Sequence, residues 1–160
     1  MRECRMTTGA SHGRSGSGSI VVGVHDSDAS RAALRWAVAH ARRTRQHVQV
    51  LISWDYPDSD EPDNDEATRF RASDQGENAA DVLRQTVEDV VGAHAARRIK
   101  QMAVRGLPAM TLVHAARHAA LLVIGRGDAG EPDGLPLGSV CRRVVAQATC
   151  PVVIVPAPPM

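Results

Sequence analysis

The stretch LLVIGRGDAGEPDGLPLGSVCRRVVAQATCPVVIV, Leu121–Val155, contains the pattern that decides the fold. Its first residues form a continuous apolar run that is typical of a fully buried strand, and Pro151–Val155 forms another. A glycine-rich loop separates the first run from a helical pattern that we predict at about Ser139–Ala148. A strand, a helix and a second strand in this order predict a parallel βαβ unit with a right-handed crossover.

The same alternation of strand and helix extends back along the chain. Continuous apolar runs predict buried strands at Ile20–Val24 and His47–Trp54. A third run, RRIKQMAVRG at 97–106, is less apolar. Strands in the middle of a parallel sheet are buried on both faces and strongly apolar, so we expect this third strand nearer an edge.

Helical patterns follow the first three strands. The first opens at Asp26, Ser27 and Asp28, which are candidates for the N-cap, and it ends on arginines that suit a helix C-terminus. The second is expected around Glu77–Arg97, and the third has Pro108 in its first turn. Five strands alternating with four helices predict an α/β fold: a doubly wound, five-stranded parallel sheet with helices on both faces. Ligands of such sheets bind beyond the carboxyl ends of the strands, where the strand order reverses.

The chain is expected to form one domain. A length of 160 residues is enough for one sizeable core, and we place this single domain at residues 20–157. The preceding tail, residues 1–19, ends in GRSGSGS and is expected to be flexible. The connection at 55–75 is acidic and interrupted by prolines, which predicts a mobile loop.

Composition argues against several classes of function. The formal net charge of +1 gives no general attraction to nucleic acid or to membranes, and no apolar run approaches the roughly 20 residues of a membrane span. Lys100 is the single lysine, which excludes P-loop and Schiff-base chemistry. The three cysteines are too irregularly spaced for a disulfide framework or a zinc site. With no apolar signal segment, the expected location is the cytoplasm.

Three segments resemble the universal stress protein family. They are IVVGVHDSDASRAALRWA from Ile20, RGLPAMTLVHAA from Arg105, and the C-terminal stretch from Leu121. The last is the most specific, with a glycine after the fourth strand, a loop of fixed length, Gly-Ser opening a helix, and Cys-Pro before a valine-rich strand. The resemblance runs from about Ile20 to Val155. It implies an adenine nucleotide alpha hydrolase-like sheet, a homodimer formed through the C-terminal strand and, in one branch, an ATP site.

The nucleotide-binding branch is marked by a glycine, two residues, a glycine, nine residues, and then Gly-Ser or Gly-Thr. In this chain Gly125 is the first glycine and Gly138–Ser139 is the closing pair, but Asp128 replaces the middle glycine. His25 stands where the family has an aspartate that contacts the nucleoside, and Ser53 where a residue contacts the adenine. By this resemblance, the nucleotide-binding residues would be Gly23, Val24, His25, Ser53, Ile124, Gly125, Asp128, Gly138, Ser139 and Val140.

Several of these residues also have a simpler explanation. A helix that begins at Ser139 presents N–H groups without helical partners to a phosphate, but Ser139 could instead cap its own helix. His25 could bond only to the neighbouring backbone. Val24 and Ile124 suit a hydrophobic core as well as a pocket wall. The sequence leaves these alternatives open.

Asp128 is the main obstacle to phosphate binding. At about 4 Å from a phosphate oxygen, with an effective dielectric constant near 20, the repulsion is on the order of 4 kcal/mol. That energy corresponds to roughly a thousandfold in affinity. Asp128 could point away, or it could bind a Mg²⁺ ion that bridges to the phosphates. We therefore predict weakened, metal-dependent ATP binding, with Asp128 as the Mg²⁺ ligand.

Three functions are compatible with these residues. The first is a non-enzymatic, stress-response regulatory module whose adenine nucleotide adjusts its contacts with other proteins. The second is a structural or regulatory dimer of the same family that binds no nucleotide. The third is a slow ATP hydrolase, against which stands the lack of an obvious general base other than His25 or Asp128. The sequence favours the first.

Overall fold

A computed structural model of the chain describes residues 18–54, 66–126 and 137–159, and for residues 66–73 it describes the backbone alone. Most of the predicted tail, the acidic residues 55–65 and the loop residues 127–136 lie outside this described part. The elements are, in chain order, β1 (Ser19–Gly23), α1 (Asp28–Thr44), β2 (His47–Trp54), α2 (Glu66–Val91), α3 (Ala93–Ala96), β3 (Lys100–Arg105), α4 (Pro108–Ala115), β4 (Leu121–Gly125), α5 (Ser139–Gln147) and β5 (Val152–Val155).

The five strands form one sheet in the order β3–β2–β1–β4–β5, and all neighbours are parallel. Val22 in the central strand β1 is paired with Val50 of β2 on one side and with Val123 of β4 on the other. The predicted doubly wound parallel sheet is therefore confirmed. The less apolar strand β3 lies at an edge, as its composition predicts.

Alternate side chains along each strand face two separate cores. Val22 and Val50 pack with Leu34 of α1 and Leu83 of α2 on one side of the sheet. On the other side, Leu51 belongs to a second core, which also contains residues of α4 and α5. Helices thus cover both faces of the sheet. This two-sided burial explains why the strands are recognised as continuous apolar runs rather than as alternating ones.

Of the three predicted N-cap candidates of helix α1, the structure selects one. Ser27 is the N-cap, and its hydroxyl oxygen accepts a hydrogen bond from the Ser30 N–H at 3.2 Å. Asp28 is the first helical residue, and Asp26 binds Arg31 at 2.9 Å. The helix ends at Thr44, and the C-cap Arg45 has a left-handed backbone with φ of 56°. The N-terminus of α1 therefore already has a side-chain partner of its own.

The acidic connection is shorter than the sequence predicts. Helix α2 begins at Glu66, so the predicted loop over 55–75 is wrong for residues 66–75. No proline or glycine interrupts that segment, and the acidic residue at its start suits a helix N-terminus. The predicted end at Arg97 is also wrong, because Gly92 has φ of 84° and separates α2 from α3.

Most of the remaining boundaries agree with the sequence to within a residue or two, but β3 begins at Lys100, three residues after the predicted start of that run. Strand β1 includes Ser19, one residue before the predicted start of the domain, and Pro108 occupies the first turn of α4 as expected. Helix α5 begins at Ser139. Within the described residues no helix combines the length and the apolar character that a membrane span requires.

Candidate functional site

A cavity of about 350 Å³ opens at the carboxyl ends of β1, β2 and β4. It lies on the side of the sheet that α4 and α5 cover, and it is at the point where the chain leaves the central strands in opposite directions. This is the position that the doubly wound architecture predicts for a ligand. The described residues that line it are Gly23, Val24, His25, Leu51, Ser53, Pro108, Leu112, Ile124, Gly125, Gly138, Ser139, Val140 and Cys141.

The structure brings the predicted site residues together around this one cavity. Every one of them except Asp128 lines it, and Asp128 lies outside the described residues. Sequence reasoning missed four further lining residues. The spacing of three of them could have identified them, because residues on one face of a strand or helix line the same site. Leu51 lies two residues before Ser53 on the same strand face, and Leu112 lies four residues after Pro108 on the same helix face. The remaining lining residue that it missed is Cys141.

The N-terminus of α5 points into the cavity without a side-chain cap. Gly138 is the N-cap, with an extended backbone (φ −65°, ψ 167°), and no side chain of the described residues caps this end. Ser139 is the first helical residue, so the alternative that Ser139 caps its own helix is wrong. The first N–H group bonded inside the helix is that of Arg142, which donates to the Gly138 carbonyl at 3.1 Å. The preceding N–H groups therefore have no partner within the helix.

The N-terminus of a second helix also lines the cavity. Leu107 is the N-cap of α4, Pro108 follows it at the first helical position, and among the described residues no side chain caps this end. The positive ends of two helix dipoles thus meet one cavity. The described lining residues include no aspartate, glutamate, lysine or arginine. Backbone groups therefore dominate the electrostatics of the described walls.

Ser53 has a defined hydrogen-bonding role at the end of β2. Its hydroxyl donates to the carbonyl oxygen of Gly106, which directly follows β3. The Gly106 N–H in turn donates to the Trp54 carbonyl at 2.8 Å. Because the Ser53 proton is already used, its oxygen is left with the capacity to accept a hydrogen bond from a ligand.

His25 has a fixed backbone and an exposed ring at the cavity mouth. Its carbonyl oxygen accepts hydrogen bonds from the Ser27 N–H at 2.9 Å and from the Ser30 hydroxyl. The ring nitrogen Nε2 lies 3.4 Å from the Ser27 hydroxyl oxygen. The structure thus holds the residue in place while the imidazole edge stays accessible at the cavity.

Gly125 has a packing role that the sequence does not predict. A Cβ atom at this position would lie 2.6 Å from the backbone carbonyl carbon of Ala29 and 2.8 Å from the Ser30 nitrogen. The lack of a side chain therefore allows α1 to lie directly against β4. The Gly125 carbonyl oxygen also accepts a hydrogen bond from the Cys141 thiol at 3.4 Å, which connects β4 to α5.

These features agree with the comparison against known families. The sequence profile described as the universal stress protein family matches residues 17–156. The chain belongs to the universal stress protein family. No curated protein sequence matches it significantly.

Solved universal stress proteins share the fold of this one. The universal stress protein UspA from Lactobacillus plantarum is 26% identical with a TM-score of 0.72, over 89% of this chain and 99% of that one. A universal stress protein in complex with cAMP is also 26% identical, with a TM-score of 0.62, over 90% of this chain and 100% of that one. A homologue from Burkholderia pseudomallei is 24% identical with a TM-score of 0.64, over 91% and 100% of the two chains, and supports the fold alone.

The described part of this universal stress protein contains no group of three or more His, Cys, Asp or Glu side chains that could hold a metal ion. The predicted Mg²⁺ ligand Asp128 lies outside that part. Metal binding through Asp128 therefore stays a prediction.

Proposed function

We propose that this universal stress protein binds an adenine nucleotide in the cavity at the carboxyl ends of its strands. The observation that carries the proposal is the N-terminus of α5, which no described side chain caps and whose first residues Ser139, Val140 and Cys141 line that cavity. N–H groups at such a terminus bind phosphate well, because they combine free donors with the positive end of the helix dipole. A relative with 26% identity is in complex with cAMP, which supports the same class of ligand here.

The walls away from α5 suit a nucleobase. Leu51, Leu112 and Ile124 give the cavity apolar surfaces, and its volume of about 350 Å³ lies in the range of small-molecule sites. Ser53 offers an acceptor oxygen, because its proton is donated to Gly106. The exocyclic amino group of adenine is a donor and is therefore a suitable partner for Ser53.

The phosphate side is where this chain differs from the family pattern. The N-termini of α4 and α5 favour anions, whereas Asp128 in the connecting loop adds a negative charge. We propose that ATP binds weakly alone and more tightly with Mg²⁺, which Asp128 would share with the phosphate oxygens. The ligand set proposed for Mg²⁺ contains one protein carboxylate together with phosphate oxygens.

The proposed role is that of a non-enzymatic regulatory module in a stress response in the cytoplasm. Nucleotide occupancy would change which proteins the module contacts. We propose that it acts as a homodimer through β5, because β5 lies at an edge of the sheet and all four of its valine and isoleucine residues are partly exposed. An edge strand has backbone groups that a second copy of the same strand can pair with.

Isothermal titration calorimetry with ATP, with and without Mg²⁺, tests the proposal. The informative variant is Ser139→Pro, because proline is accepted at the first helical position and removes one N–H group from the cavity. Gly138 before it already has the extended backbone that a following proline requires. We expect the affinity for ATP to fall by roughly 10-fold to 100-fold, as for a lost hydrogen bond to a charged group.

The matched control is Asp28→Pro. Asp28 is the first helical residue of α1 and is exposed, and Ser27 before it is also extended. This variant changes the same helical position in a helix whose N-terminus is capped, so the ATP affinity should not change. Failure of the unaltered protein to bind ATP at millimolar concentration with Mg²⁺ would place it among the dimers of the family that bind no nucleotide. Steady release of ADP would instead support the hydrolase.

A further inference from the structure

An apolar groove of about 620 Å³ lies beside the cavity on the same face of the sheet. Met102 and Val104 of β3 form its floor, and Leu107 and Met110 of α4 form one wall. Leu107 is 48% exposed and Met110 is 64% exposed. Single exposed apolar residues are ordinary, but these two adjoin partly buried apolar residues. Together they form one continuous apolar surface, and such surfaces often mark binding sites.

The groove exists because, within the described part of the chain, no helix covers β3 on this face of the sheet. On this face α4 packs against β2 and β1, whereas α2 packs against β3 on the opposite face. Each strand adds about 5 Å to the width of a sheet. Strand β3 and the outer half of β2 therefore leave a strip about 7 Å wide at the edge of the sheet, where one helix of about 10 Å diameter can lie.

Among the described residues, the charged side chains near the groove are basic. Strands β2 and β3 and helices α4 and α5, which form this side of the molecule, contain no aspartate or glutamate. Lys100 lies on the same strand face as Met102, two residues away. His114 lines the groove, and its Nδ1 atom is 3.5 Å from an Nη atom of Arg117. The described part of this surface is therefore basic, although the net charge of the whole chain is only +1.

We propose that this groove is a docking site for an acidic amphipathic helix of a partner protein. The apolar stripe of the helix would lie on Met102, Val104 and Met110, and its acidic residues would face Lys100 and Arg117. Two of the groove residues are methionines, whose flexible side chains adapt to different partner surfaces. The site is separate from the proposed nucleotide cavity, although Leu51 lines both.

Two synthetic helical peptides of about 14 residues test the proposal. This length gives about 21 Å of helix, close to the roughly 20 Å of the six-residue strand β3. Both carry leucines at helical spacing, and one has glutamates beside the stripe where the other has lysines. Fluorescence anisotropy with each labelled peptide, measured without nucleotide, reports binding independently of the proposed cavity function. We expect the acidic peptide to bind at least tenfold more tightly, and less tightly as salt is raised.

Three variants locate the binding surface. Met110→Glu places a carboxylate in the groove and should abolish binding of the acidic peptide, and Lys100→Glu should weaken it at least fivefold. Val145→Glu is the matched control, because Val145 is 53% exposed on α5 and does not line the groove. It should bind like the unaltered protein. Thermal unfolding checks that each variant is folded.

Four outcomes would overturn the proposal. They are absence of binding by the acidic peptide, equal binding of both peptides, and equal effects of Met110→Glu and Val145→Glu. The fourth is a halved mass of Met110→Glu in sedimentation, since the occupant would then be a second copy of this chain.

Discussion

The α-carbon of Gly125 faces the peptide group after Ala29 so closely that a methyl group there would lie 2.6 Å from the carbonyl carbon. Strand β4 and the first turn of α1 are therefore in direct backbone contact. The neighbouring strand offers a contrast. A Cβ atom on Gly23 would meet the Leu112 side chain, with 2.7 Å to Cδ2. A side-chain end moves more easily than a helix backbone.

We expect Gly125→Ala to lower the free energy of unfolding by about 1–3 kcal/mol, the usual cost of overpacking. The cost arises because α1 must move away from the sheet. Gly23→Ala is the matched variant and should cost less, since Leu112 can change its rotamer. Urea unfolding measures both values. An equal cost for the two would show that backbone contact with α1 is not the constraint.

Replacement of the loop carboxylate tests the predicted electrostatics. Asp128→Gly removes a negative charge from the proposed phosphate site, so ATP affinity without Mg²⁺ should increase. An increase of roughly a thousandfold is the upper bound set by the Coulomb estimate. The benefit of added Mg²⁺ should decrease in the same variant. Asp133→Gly, in the same loop, is the control in calorimetry, and an equal effect would indicate a general charge effect.

Ser53 should determine the choice of nucleobase. Its oxygen can accept a hydrogen bond from the amino group of adenine, whereas guanine presents a carbonyl at the corresponding position. The unaltered protein should therefore prefer ATP over GTP. In Ser53→Ala the preference should fall by roughly tenfold, for a lost hydrogen bond of about 1 kcal/mol or slightly more. Competition between the two nucleotides measures it, and an unchanged ratio would place the base elsewhere.

The N-cap of α1 should contribute measurably to stability. Ser27→Ala removes the acceptor of the Ser30 N–H, and caps of this kind are worth about 1 kcal/mol. Ser27→Asp keeps an acceptor and should retain most of the stability. The midpoints of urea unfolding give the comparison. A Ser27→Asp variant as unstable as Ser27→Ala would mean that the hydroxyl acts through another contact.

Burial raises the pKa of the Cys150 thiol above its ordinary value of 9.0, although hydrogen bonds to backbone groups oppose the shift. The folded protein then keeps its proton at a pH where the unfolded chain has lost it. The contribution of this residue to stability should be complete below about pH 9 and should be lost as the pH rises from there through the higher pKa of the folded thiol. Cys150→Ala should remove this part of the slope in unfolding measured against pH. An unchanged slope would assign it to other groups.

Much of the site was predictable because the residues that resemble the family motif lie at ends of strands and helices. The order of the strands brings these ends together. Val24, Ile124 and Ser139 lie at ends of strands or helices, and the carboxyl ends of parallel strands meet at one edge. The alternative explanation for Ser139 could not be rejected from the sequence, because a serine before a helical pattern occurs equally at the N-cap and at the first helical residue. The backbone of Gly138 settled it.

The sequence by itself determined the order of strands and helices and the burial of the sheet on both faces, because apolar periodicity and terminal signals are local properties of the chain. It also determined the family. Only the tertiary structure decided that Gly125 touches the backbone of α1 and that Ser53 donates to Gly106. It alone decided that β3 has an apolar face beside α4 that no described helix covers. These features depend on the distances between elements far apart in the chain, and no local pattern of residue types encodes such a distance.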